Sequence, residues 1–260
     1  MGISERMGDV LGQAVEAKLL REVEEHDIKV NHLAIIMDGN RRFAWSKALT
    51  SSLGHRLGKE KLEQVMDWVL DLNIQFFTVY ALSTENIINR NDDELMDLYQ
   101  LYIDGLRDIA DDERIHANGV KVQIIGRREM LPKSVNDAID YAENKTKNYD
   151  KFTFTVCLAY GSREEIISAI QSIADDHAKG KLPLKDIDET QVSNRLYTSN
   201  IPDPDLVIRT SGEERISNFL LWQMAYTEFY FTDVFWPSFS KKEMLKAIQT
   251  FQQRKRRFGE

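Results

Sequence analysis

The chain has 260 residues, of which 42% are hydrophobic and 29% charged, and its net charge is -8. These proportions are typical of a soluble globular protein, and the acidic balance excludes a general nucleic-acid binder and an overall attraction to anionic membranes. The single cysteine, Cys157, lies in an apolar run, so the chain has no disulfide framework. No apolar run reaches the roughly 18 residues of a membrane span. We therefore expect a cytoplasmic protein whose contact with membranes is at most peripheral.

Residues 1–30 are predicted to form a helical extension, because apolar residues recur along them with a broken helical spacing. After it, apolar strand candidates alternate with helix candidates. The predicted strands are 32–37, 76–82, 120–125, 152–159, 205–208 and 228–231. The predicted helices are 56–72, 92–117, 132–147, 162–178, 188–198 and 240–256. This alternation predicts one α/β domain, residues 31–260, in which a mostly parallel six-stranded sheet is flanked by helices.

Polar residues follow the carboxyl ends of the predicted strands, where ligands bind in parallel sheets. These segments are residues 38–42, 83–86, 126–128, 160–163 and 209–212, and arginine lies in or just after every one of them. A purely structural set of loops would mix lysine, glutamate and glutamine more evenly, and it remains the alternative interpretation. Arginine pairs phosphate oxygens in a forked geometry, and the Asp38 carboxylate is a ligand type suited to Mg²⁺. The set therefore predicts a site for a diphosphate and a metal ion.

Two other segments imitate phosphate-binding motifs but fail in detail. Residues 54–60 are similar to a nucleotide phosphate loop, yet the glycine spacing is one residue short and Glu60 occupies the Ser/Thr position. Residues 93–97 imitate an aspartate-rich diphosphate motif once only, and acidic residues are also favoured at the start of a helix. We therefore expect neither segment to form a nucleotide or diphosphate site.

Four long blocks of the sequence, residues 32–42, 80–86, 205–223 and 226–237, closely resemble the cis-prenyltransferases, the undecaprenyl diphosphate synthase family. The resemblance covers residues 31–259, and residues 38–44 are most similar to archaeal and eukaryotic members. It implies an enzyme that adds isopentenyl diphosphate to an allylic diphosphate primer, with each new double bond cis. It also implies Mg²⁺ as cofactor, a homodimer and an apolar tunnel for the growing chain. Candidates for lining the tunnel, or else plain core residues, are Leu98, Leu101, Leu106, Ile109, Ile124 and Val156.

The resemblance implies that two carboxylates, Asp38 and Glu228, hold the Mg²⁺ ion at the diphosphates. Asp38 is also expected to be essential for catalysis. Asn86 stands where the family has a residue that assists proton removal from the isopentenyl unit, with His55 and Ser83 nearby.

The resemblance also implies two groups of diphosphate-binding residues. The allylic diphosphate is assigned to Arg42 and to the backbone amides around Gly39 and Asn40. Isopentenyl diphosphate is assigned to Arg209, Arg215 and Ser217. Phe43 and Ile87 or Ile88 would flank the reacting carbons. The further substrate-binding candidates are Arg41, Ser51, Thr84, Glu85, Arg90 and Ile216.

Three positions depart from the pattern of the family. Ser51 stands where many members carry arginine, Glu214 stands where bacterial members carry histidine, and Ile87 with Ile88 replaces a single aromatic residue. The first change removes one phosphate contact unless another residue supplies it. The second removes a third metal ligand, and the third shifts the alignment of Arg90 by one place. These differences keep alternative chemistries open.

The leading hypothesis is sequential condensation from geranylgeranyl or farnesyl diphosphate to a long, undecaprenyl-type polyprenyl diphosphate, a precursor of glycosyl carrier lipid. The alternatives are an irregular or short-chain prenyl condensation and a non-catalytic partner subunit of a heteromeric prenyltransferase. Such partners lose the metal aspartate and the Asn86 block, both of which are present here. The product would bring transient membrane contact. The basic ending, residues 254–259, is expected either to attract a membrane or, by resemblance, to support the site across a homodimer interface.

Overall fold

A six-stranded sheet lies at the centre of the computed structural model, which describes residues 3–255 and the side chains of residues 12–254. The strands are β1 (His32–Ile36), β2 (Phe76–Ser83), β3 (Val120–Ile125), β4 (Phe152–Tyr160), β5 (Leu206–Arg209) and β6 (Glu228–Phe231). Their order is β3-β4-β2-β1-β5-β6, and every neighbouring pair is parallel. The predicted strands are thus confirmed, with ends that differ by no more than about one residue. The sheet is wholly rather than mostly parallel.

Helices connect these strands. They are α1 (Ile3–Glu25), α2 (Asn40–Ser46), α3 (Ser51–Asp71), α4 (Thr84–Asn89), α5 (Asp92–Asp111), α6 (Glu113–Asn118), α7 (Lys133–Thr146), α8 (Ser162–Ala178), α9 (Glu189–Ser193) and α10 (Lys241–Lys255). Both α2 and α4 belong to segments that the sequence presents only as polar residues after strands.

The structure corrects three of the predicted helices. The helix predicted over 92–117 is broken at Asp112, because the Asp112 carboxylate accepts a hydrogen bond from the Arg114 amide (2.8 Å) and caps α6. The helix predicted over 56–72 begins earlier, at Ser51, because the Thr50 hydroxyl caps it by accepting from the Leu53 amide. The helix predicted over 188–198 is only α9.

The core lies on both faces of the sheet. Successive residues of β1 point to opposite faces. Leu33 and Ile35 pack in one apolar cluster, and Ala34 and Ile36 pack in the other. Every residue of β1 is buried. This double burial explains why the strand is a continuous apolar run rather than an alternating one.

The N-terminal helix α1 packs against α10 at the other end of the chain. The Gln252 amide donates to the carbonyls of Val23 (3.1 Å) and Ile28 (2.8 Å), and the Val23 side chain is buried. The division of the chain into an extension and a catalytic domain stays a prediction. Within residues 3–255, no helix has the length and the apolar character needed to cross a membrane.

The three central strands end at the same edge of the sheet. Ile36, the last residue of β1, pairs with Tyr80 of β2 on one side and with Arg209 of β5 on the other. The segments that follow β1, β2 and β5 therefore meet above this edge, where side chains far apart in the sequence come together.

Candidate active site

Asp38 lies two residues beyond the end of β1 and is held by the segment that follows β5. The Asp38 amide donates a hydrogen bond to Thr210 Oγ1 (3.0 Å), and that hydroxyl donates to the Asp38 carbonyl (2.7 Å). The Asp38 carboxylate accepts from Arg209 Nη2 at 2.8 Å and lies 3.3 Å from Arg42 Nη2. Burial alone would raise the pKa of this carboxyl, but the hydrogen bond and the charges of the two guanidinium groups outweigh it and lower the pKa. Asp38 is therefore ionised at neutral pH.

The turn from β1 into α2 requires glycine at position 39. Gly39 has a φ of 102°, a conformation that other residues rarely adopt. A Cβ atom there would lie 2.8 Å from Phe235 Cδ1 and 2.9 Å from Ser211 Cβ. Because Gly39 lets the chain turn so tightly, α2 begins directly beside Asp38, and Arg42, one turn later on α2, faces the Asp38 carboxylate.

A polar cavity of about 780 Å³ lies at these strand ends. Most of the predicted site residues line it: Asp38, Gly39, Asn40, Arg41, Arg42, His55, Ser83, Glu85, Asn86, Arg90, Arg209, Arg215 and Ser217. They come from the segments that follow β1, β2 and β5 and from the first turns of α3 and α4. The fold thus brings together in one cavity the residues that the sequence offers at separate strand ends.

Glu94, near the start of α5, faces three nitrogen-bearing side chains at the wall of this cavity. Its Oε1 atom lies 3.0 Å from Arg90 Nη1, 3.6 Å from Arg41 Nη1 and 3.9 Å from His55 Nε2. Burial, and after it the charges of Arg90 and Arg41, lower the pKa of His55 to about 4. The imidazole is therefore neutral at physiological pH and keeps one ring nitrogen free to accept a proton.

A second carboxylate, Glu213, links the arginines on the opposite side of the cavity. It accepts a 3.2 Å hydrogen bond from Arg42 Nη1 and a short one from Arg215. Arg209 Nη1 donates to Ser217 Oγ at 2.9 Å and to the Arg215 carbonyl. Arg42, Arg209, Arg215 and Ser217, which the sequence assigns to diphosphates, therefore lie in one network with the carboxylates of Asp38 and Glu213.

Several polar atoms around the cavity have no hydrogen-bond partner within the described part of the protein. They are Asn40 Oδ1, His55 Nε2, Arg90 Nε and Arg209 Nε, all of them buried. A buried polar atom without a partner costs free energy. All four belong to residues that line the polar cavity, but the atoms themselves are buried in its wall.

Other predicted site residues do not line the cavity. They are Phe43, Ser51, Thr84, Ile87 and Ile216. Ser51 begins α3, Thr84 is buried at the start of α4, and Ile87 packs against the apolar core. The assignment of these five residues to substrate binding stays a prediction.

Not all of the arginines at strand ends converge. Arg127 pairs with Glu129, and Arg128 donates to Asp140, both beyond the edge strand β3. Arg163, on α8, is likewise absent from the lining of the cavity. The prediction of one converging set is therefore wrong for these three arginines. They follow β3 and β4, which lie towards one side of the sheet, whereas the cavity forms at the ends of β1, β2 and β5.

Glu228 is not beside Asp38. It is the first residue of β6 and pairs with Leu206, which in turn pairs with Leu33 of β1. Leu33 precedes Asp38 by five strand positions, or roughly 16 Å along the sheet. The Glu228 carboxylate instead accepts from Arg254 Nη1 at 3.0 Å. Within a single chain the two carboxylates are therefore not brought together, and the assignment of Glu228 to the metal ion stays a prediction. Residues 257–259, predicted to act across a dimer interface, lie outside the described residues.

The side chains present offer a divalent metal only a small number of ligands. Among residues 12–254, no group of three or more His, Cys, Asp or Glu side chains is placed to hold a metal ion. Asp38 supplies one ionised carboxylate at the cavity wall. Magnesium commonly takes one or two protein carboxylates and completes its shell with phosphate oxygens and water. The donor set fits a Mg²⁺ ion that arrives with a diphosphate.

An apolar cavity of about 470 Å³ lies below the polar one, between α3 and α5. Of the predicted tunnel residues, Leu98, Leu101, Leu106, Ile109 and Val156 line it, whereas Ile124 is buried elsewhere in the core. Met37, Asn40, His55, Tyr80, Ala81 and Tyr102 line both cavities. The two cavities are therefore neighbours that share a wall of side chains.

Three residues at the site escaped the sequence reasoning: Glu94, Glu213 and Tyr80. The Tyr80 hydroxyl donates to the carbonyls of Tyr160 (3.1 Å) and Ser217 (3.2 Å), which ties β2 to the loop after β5. Nothing in the sequence marks this contact. Glu94 could have been found, because it lies four residues after Arg90, a spacing at which opposite charges meet on a helix.

Comparison with known proteins gives a consistent picture. A prenyltransferase family described as "Putative undecaprenyl diphosphate synthase" matches residues 36–259. A tritrans,polycis-undecaprenyl-diphosphate synthase (geranylgeranyl-diphosphate specific) of Thermoplasma volcanium is 46% identical over 259 residues, covering 100% of both chains. An enzyme of the same description from Methanocaldococcus jannaschii is 48% identical over 244 residues, covering 93% of this chain and 87% of its own.

Solved structures of two prenyl diphosphate synthases share the fold. Lavandulyl diphosphate synthase from Lavandula x intermedia, in complex with dimethylallyl diphosphate, superposes with a TM-score of 0.81 at 35% identity, covering 89% of this chain and 96% of that one. A probable undecaprenyl diphosphate synthase from Campylobacter jejuni gives a TM-score of 0.71 at 31% identity, covering 90% of this chain and 100% of that one.

Proposed function

The chain belongs to the undecaprenyl diphosphate synthase family of cis-prenyltransferases, and we propose on that basis that it elongates geranylgeranyl diphosphate with successive isopentenyl units. The product is a long polyprenyl diphosphate of the undecaprenyl type. The archaeal relatives named above are geranylgeranyl-diphosphate specific, which favours that primer over farnesyl diphosphate. The observation that carries the proposal is the contact between a polar cavity rich in arginine and an apolar cavity, since such a pair suits a diphosphate joined to a hydrocarbon tail.

The two diphosphates are assigned to the two sides of the polar cavity. Arg41 and Arg42, with the backbone around Gly39, bind the allylic diphosphate, and Arg209 and Arg215, with Ser217, bind isopentenyl diphosphate. Arg209, Arg215 and Ser217 all line the polar cavity, which supports this assignment. Guanidinium groups stabilise the negative charge that grows on the departing diphosphate when the allylic carbon–oxygen bond breaks.

Mg²⁺ is proposed as the cofactor, held by Asp38 together with diphosphate oxygens. When bound, the ion would neutralise charge on the leaving diphosphate. Asp38 would hold the ion beside Arg209 and Arg42, whose guanidinium groups face the same carboxylate and are placed to bind diphosphate oxygens as well.

Proton removal from the isopentenyl unit is assigned to Asn86 with His55. Asn86 is fixed at the start of α4 because its backbone N–H donates a 3.1 Å hydrogen bond to Ser83 Oγ. The His55 ring is neutral at neutral pH, and its Nε2 atom has no hydrogen-bond partner among the described residues, so the ring is available to assist Asn86 as a hydrogen-bonding group. In this proposal Ser83 positions Asn86 by capping α4.

The apolar cavity between α3 and α5 is proposed to hold the growing tail. Leu98, Leu101 and Leu106 line it on α5, and Leu62 and Met66 line it on α3. An apolar wall excludes water from the tail and gains free energy with each unit buried. The further assignments, to a homodimer in the cytoplasm, peripheral at the membrane, that makes a glycosyl carrier lipid precursor, are part of the same proposal.

A second candidate is an irregular or short-chain condensation. The likeness to a lavandulyl diphosphate synthase structure favours it, and so do the two departures at Ser51 and at Ile87 with Ile88. The two candidates differ in their products. A branched or single-step condensation would leave most of the apolar cavity unused.

The experiment that tests the proposal incubates purified protein with labelled isopentenyl diphosphate, Mg²⁺ and either geranylgeranyl or farnesyl diphosphate, and then sizes the lipid products. We expect a ladder of elongated products with geranylgeranyl diphosphate. One condensation product only would favour the second candidate. No product from folded protein with either primer would contradict both, and an Asp38→Ala variant serves as the inactive control.

A further inference from the structure

The loop after β5, which carries Arg215 and Ser217, is strained in its backbone. Three of its non-glycine residues have a positive φ within four positions: Ser217 (52°), Asn218 (61°) and Leu220 (41°). Residues with a Cβ rarely adopt this conformation, and they keep it only where the surrounding structure holds them. Asparagine tolerates it best of the three, because its short polar side chain can form local hydrogen bonds. The contacts of Asn218 therefore decide how the loop is held.

The side chain of Asn218 is hydrogen-bonded through both its oxygen and its nitrogen. Asn218 Oδ1 accepts a 2.9 Å hydrogen bond from the backbone N–H of Arg163, in the first turn of α8. Asn218 Nδ2 donates to Glu85 Oε1 at 3.0 Å and to Glu164 Oε2 at 3.2 Å. The orientation of the amide is fixed, because only its oxygen can accept from an N–H and only its NH2 group can donate to carboxylates.

Backbone contacts hold the same part of the loop. The Asn218 carbonyl accepts a 2.9 Å hydrogen bond from the backbone N–H of Ser162, and the buried Ser162 hydroxyl accepts one from the Leu221 N–H at 2.9 Å. The carbonyl of the preceding residue, Ser217, accepts from the Tyr80 hydroxyl. Three segments thus meet at Asn218: the loop after β5, the first turn of α8 and the first turn of α4.

This junction is closely packed around Gly161, the residue before α8. A Cβ at Gly161 would lie 2.3 Å from Glu164 Oε2, 2.8 Å from Asn218 Nδ2 and 2.9 Å from Thr84 Oγ1. These three atoms belong to α8, to the loop and to α4. Any larger residue would push the three side chains apart, so glycine at this position lets the segments come together.

The Asn218 amide also separates two carboxylates. Burial alone would raise the pKa of Glu85, but hydrogen bonds from its own backbone N–H and from Asn218 outweigh this effect and lower the pKa. Glu85 is therefore ionised at neutral pH. The carboxylate of Glu164 lies close to it, because both carboxylates bond the same nitrogen. Without the NH2 group the two would face each other with no donor between them, and like charges at short range repel.

We propose that Asn218 is a positioning residue that couples the loop after β5 to α4. Glu85, its partner on α4, immediately precedes Asn86, so isopentenyl diphosphate bound by Arg215 and Ser217 would also fix Asn86 beside it. Glu85 and Asn218 both line the polar cavity, which places this link at the substrates. The inference rests on the proposed function, because it takes isopentenyl diphosphate as the ligand and Asn86 as the residue that assists proton removal.

The first test follows amide hydrogen exchange of the full chain in residues 84–89 and 215–221. In the ligand-free Asn218→Ala variant both segments should exchange about fivefold faster than in the wild-type chain. Isopentenyl diphosphate with Mg²⁺ should slow exchange in both segments of the wild type, but only in residues 215–221 of the variant. The matched control is Asn136→Ala, because Asn136 is also half-buried and makes three side-chain hydrogen bonds on α7, away from the cavity. It should behave like the wild type in both segments.

The second test is kinetic. Asn218→Ala should raise KM for isopentenyl diphosphate about tenfold and lower kcat about tenfold, because both the loop and Asn86 lose their position. KM for the allylic primer should stay the same, because Arg41 and Arg42 lie on α2. Asn136→Ala should leave all three values unchanged.

An Asn218→Asp variant separates positioning from a general loss of structure. It keeps the oxygen acceptor but places a third carboxyl beside Glu85 and Glu164. Two neighbouring negative charges raise the pKa of the new carboxyl, so lowering the pH protonates it and restores one donor. The ratio of its KM for isopentenyl diphosphate to that of the wild type should therefore fall at least about threefold between pH 8 and pH 6. A purely structural defect would give the same ratio at both pH values.

Two results would overturn the coupling. One is protection of residues 84–89 by isopentenyl diphosphate that is as complete in Asn218→Ala as in the wild type. The other is a KM for isopentenyl diphosphate that neither variant of Asn218 changes. If the wild-type chain neither binds isopentenyl diphosphate nor elongates a primer, the proposed function fails instead. The exchange rates of the ligand-free variants then still decide whether Asn218 joins the two segments.

Discussion

Arg209 donates a 2.8 Å hydrogen bond to the carboxylate of Asp38, 171 positions earlier in the chain. The Arg209 side chain is only 4% exposed. The contact joins the segment after β1 to the end of β5, and it holds a buried guanidinium and an ionised carboxylate at the place where metal and diphosphate are proposed to bind. Both partners therefore have a structural role besides the proposed chemical one.

Asp38→Asn is expected to reduce kcat roughly 100- to 1,000-fold, because the amide cannot bind Mg²⁺ as a carboxylate does. It should also lower the free energy of unfolding by about 2 kcal/mol, since Arg209 loses its charged partner. Steady-state kinetics and urea denaturation measure the two effects. Asp137→Asn, at an exposed pair on α7, should leave both unchanged. Full activity of Asp38→Asn would remove Asp38 from the proposed mechanism.

The pKa of His55 predicts a pH dependence of stability. The folded pKa is about 4, whereas the ordinary value is 6.5, so folding favours the neutral ring. The resulting stability is complete above pH 6.5 and is lost as the pH falls towards 4. Between pH 7 and 4.5 the wild-type chain should lose about 2.5 kcal/mol more than a His55→Gln variant. His32 also has a pKa lowered to about 4, so only the difference between the two proteins is informative. Equal losses would show that His55 titrates normally.

Tyr80→Phe should separate the two substrates. The hydroxyl holds the Ser217 carbonyl, and Ser217 belongs to the proposed site of isopentenyl diphosphate. Removing the hydroxyl loosens that loop, so KM for isopentenyl diphosphate should rise about fivefold to tenfold. KM for the allylic primer should stay the same, because Arg41 and Arg42 lie on α2. An equal rise for both substrates would argue for a general loss of structure, which circular dichroism would detect.

Gly54→Ala should damage the site from a distance. A Cβ at Gly54 on α3 would lie 2.5 Å from the Asn40 carbonyl oxygen and 2.9 Å from Ala44 Cβ, both on α2. The variant should therefore lose about 1–3 kcal/mol of stability and much of its activity, because α2 carries the residues beside Asp38. Gly12→Ala is the matched control. No atom lies within 4 Å of a Cβ there, so this helical substitution should stabilise the chain by up to about 1 kcal/mol.

Mg²⁺ binding should depend on diphosphate. Because Asp38 is the carboxylate proposed to hold the ion and no cluster of three ligands exists among residues 12–254, Mg²⁺ alone should leave Tm unchanged. Mg²⁺ with inorganic diphosphate at roughly 100 times the Kd should raise Tm by about 5 °C or more. Differential scanning fluorimetry with and without EDTA distinguishes the cases. An equal shift with Mg²⁺ alone would point to a complete protein site for the metal.

The centre of the sheet could be predicted from the sequence because every residue of β1 and of β5 is buried, so these strands are nearly continuous apolar runs. The helices α2 and α4 could not, because they are only seven and six residues long and polar. Helical periodicity needs a longer window than that. The break between α5 and α6 is hard to predict because its cap, Asp112, lies in the acidic run 111–113, which a continuous helix could equally carry on its exposed face.

The candidate site was predictable where a site residue lies shortly after the end of a predicted strand, as Asp38, Asn86 and Arg209 do. It was not predictable where charge pairing crosses between elements. Glu213 joins arginines of α2 and of the loop after β5, and only the folded chain shows this. Glu228 shows the converse limit. The predicted strands place Glu228 at the start of one strand and Asp38 after the end of another, but the sequence alone does not give the strand register that separates them.

Each arginine of the pocket faces a carboxylate of the protein: Arg209 faces Asp38, Arg42 faces Asp38 and Glu213, Arg215 faces Glu213, and Arg41 and Arg90 face Glu94. Five guanidinium groups thus share three carboxylates, so an incoming anion is attracted by the excess positive charge but must compete with a carboxylate for each arginine. Inorganic phosphate gains little from such an exchange, and a nucleoside diphosphate can bring a second phosphate and a metal ion but no hydrocarbon tail. A prenyl diphosphate brings all three, so competition with the resident carboxylates favours it over these common anions.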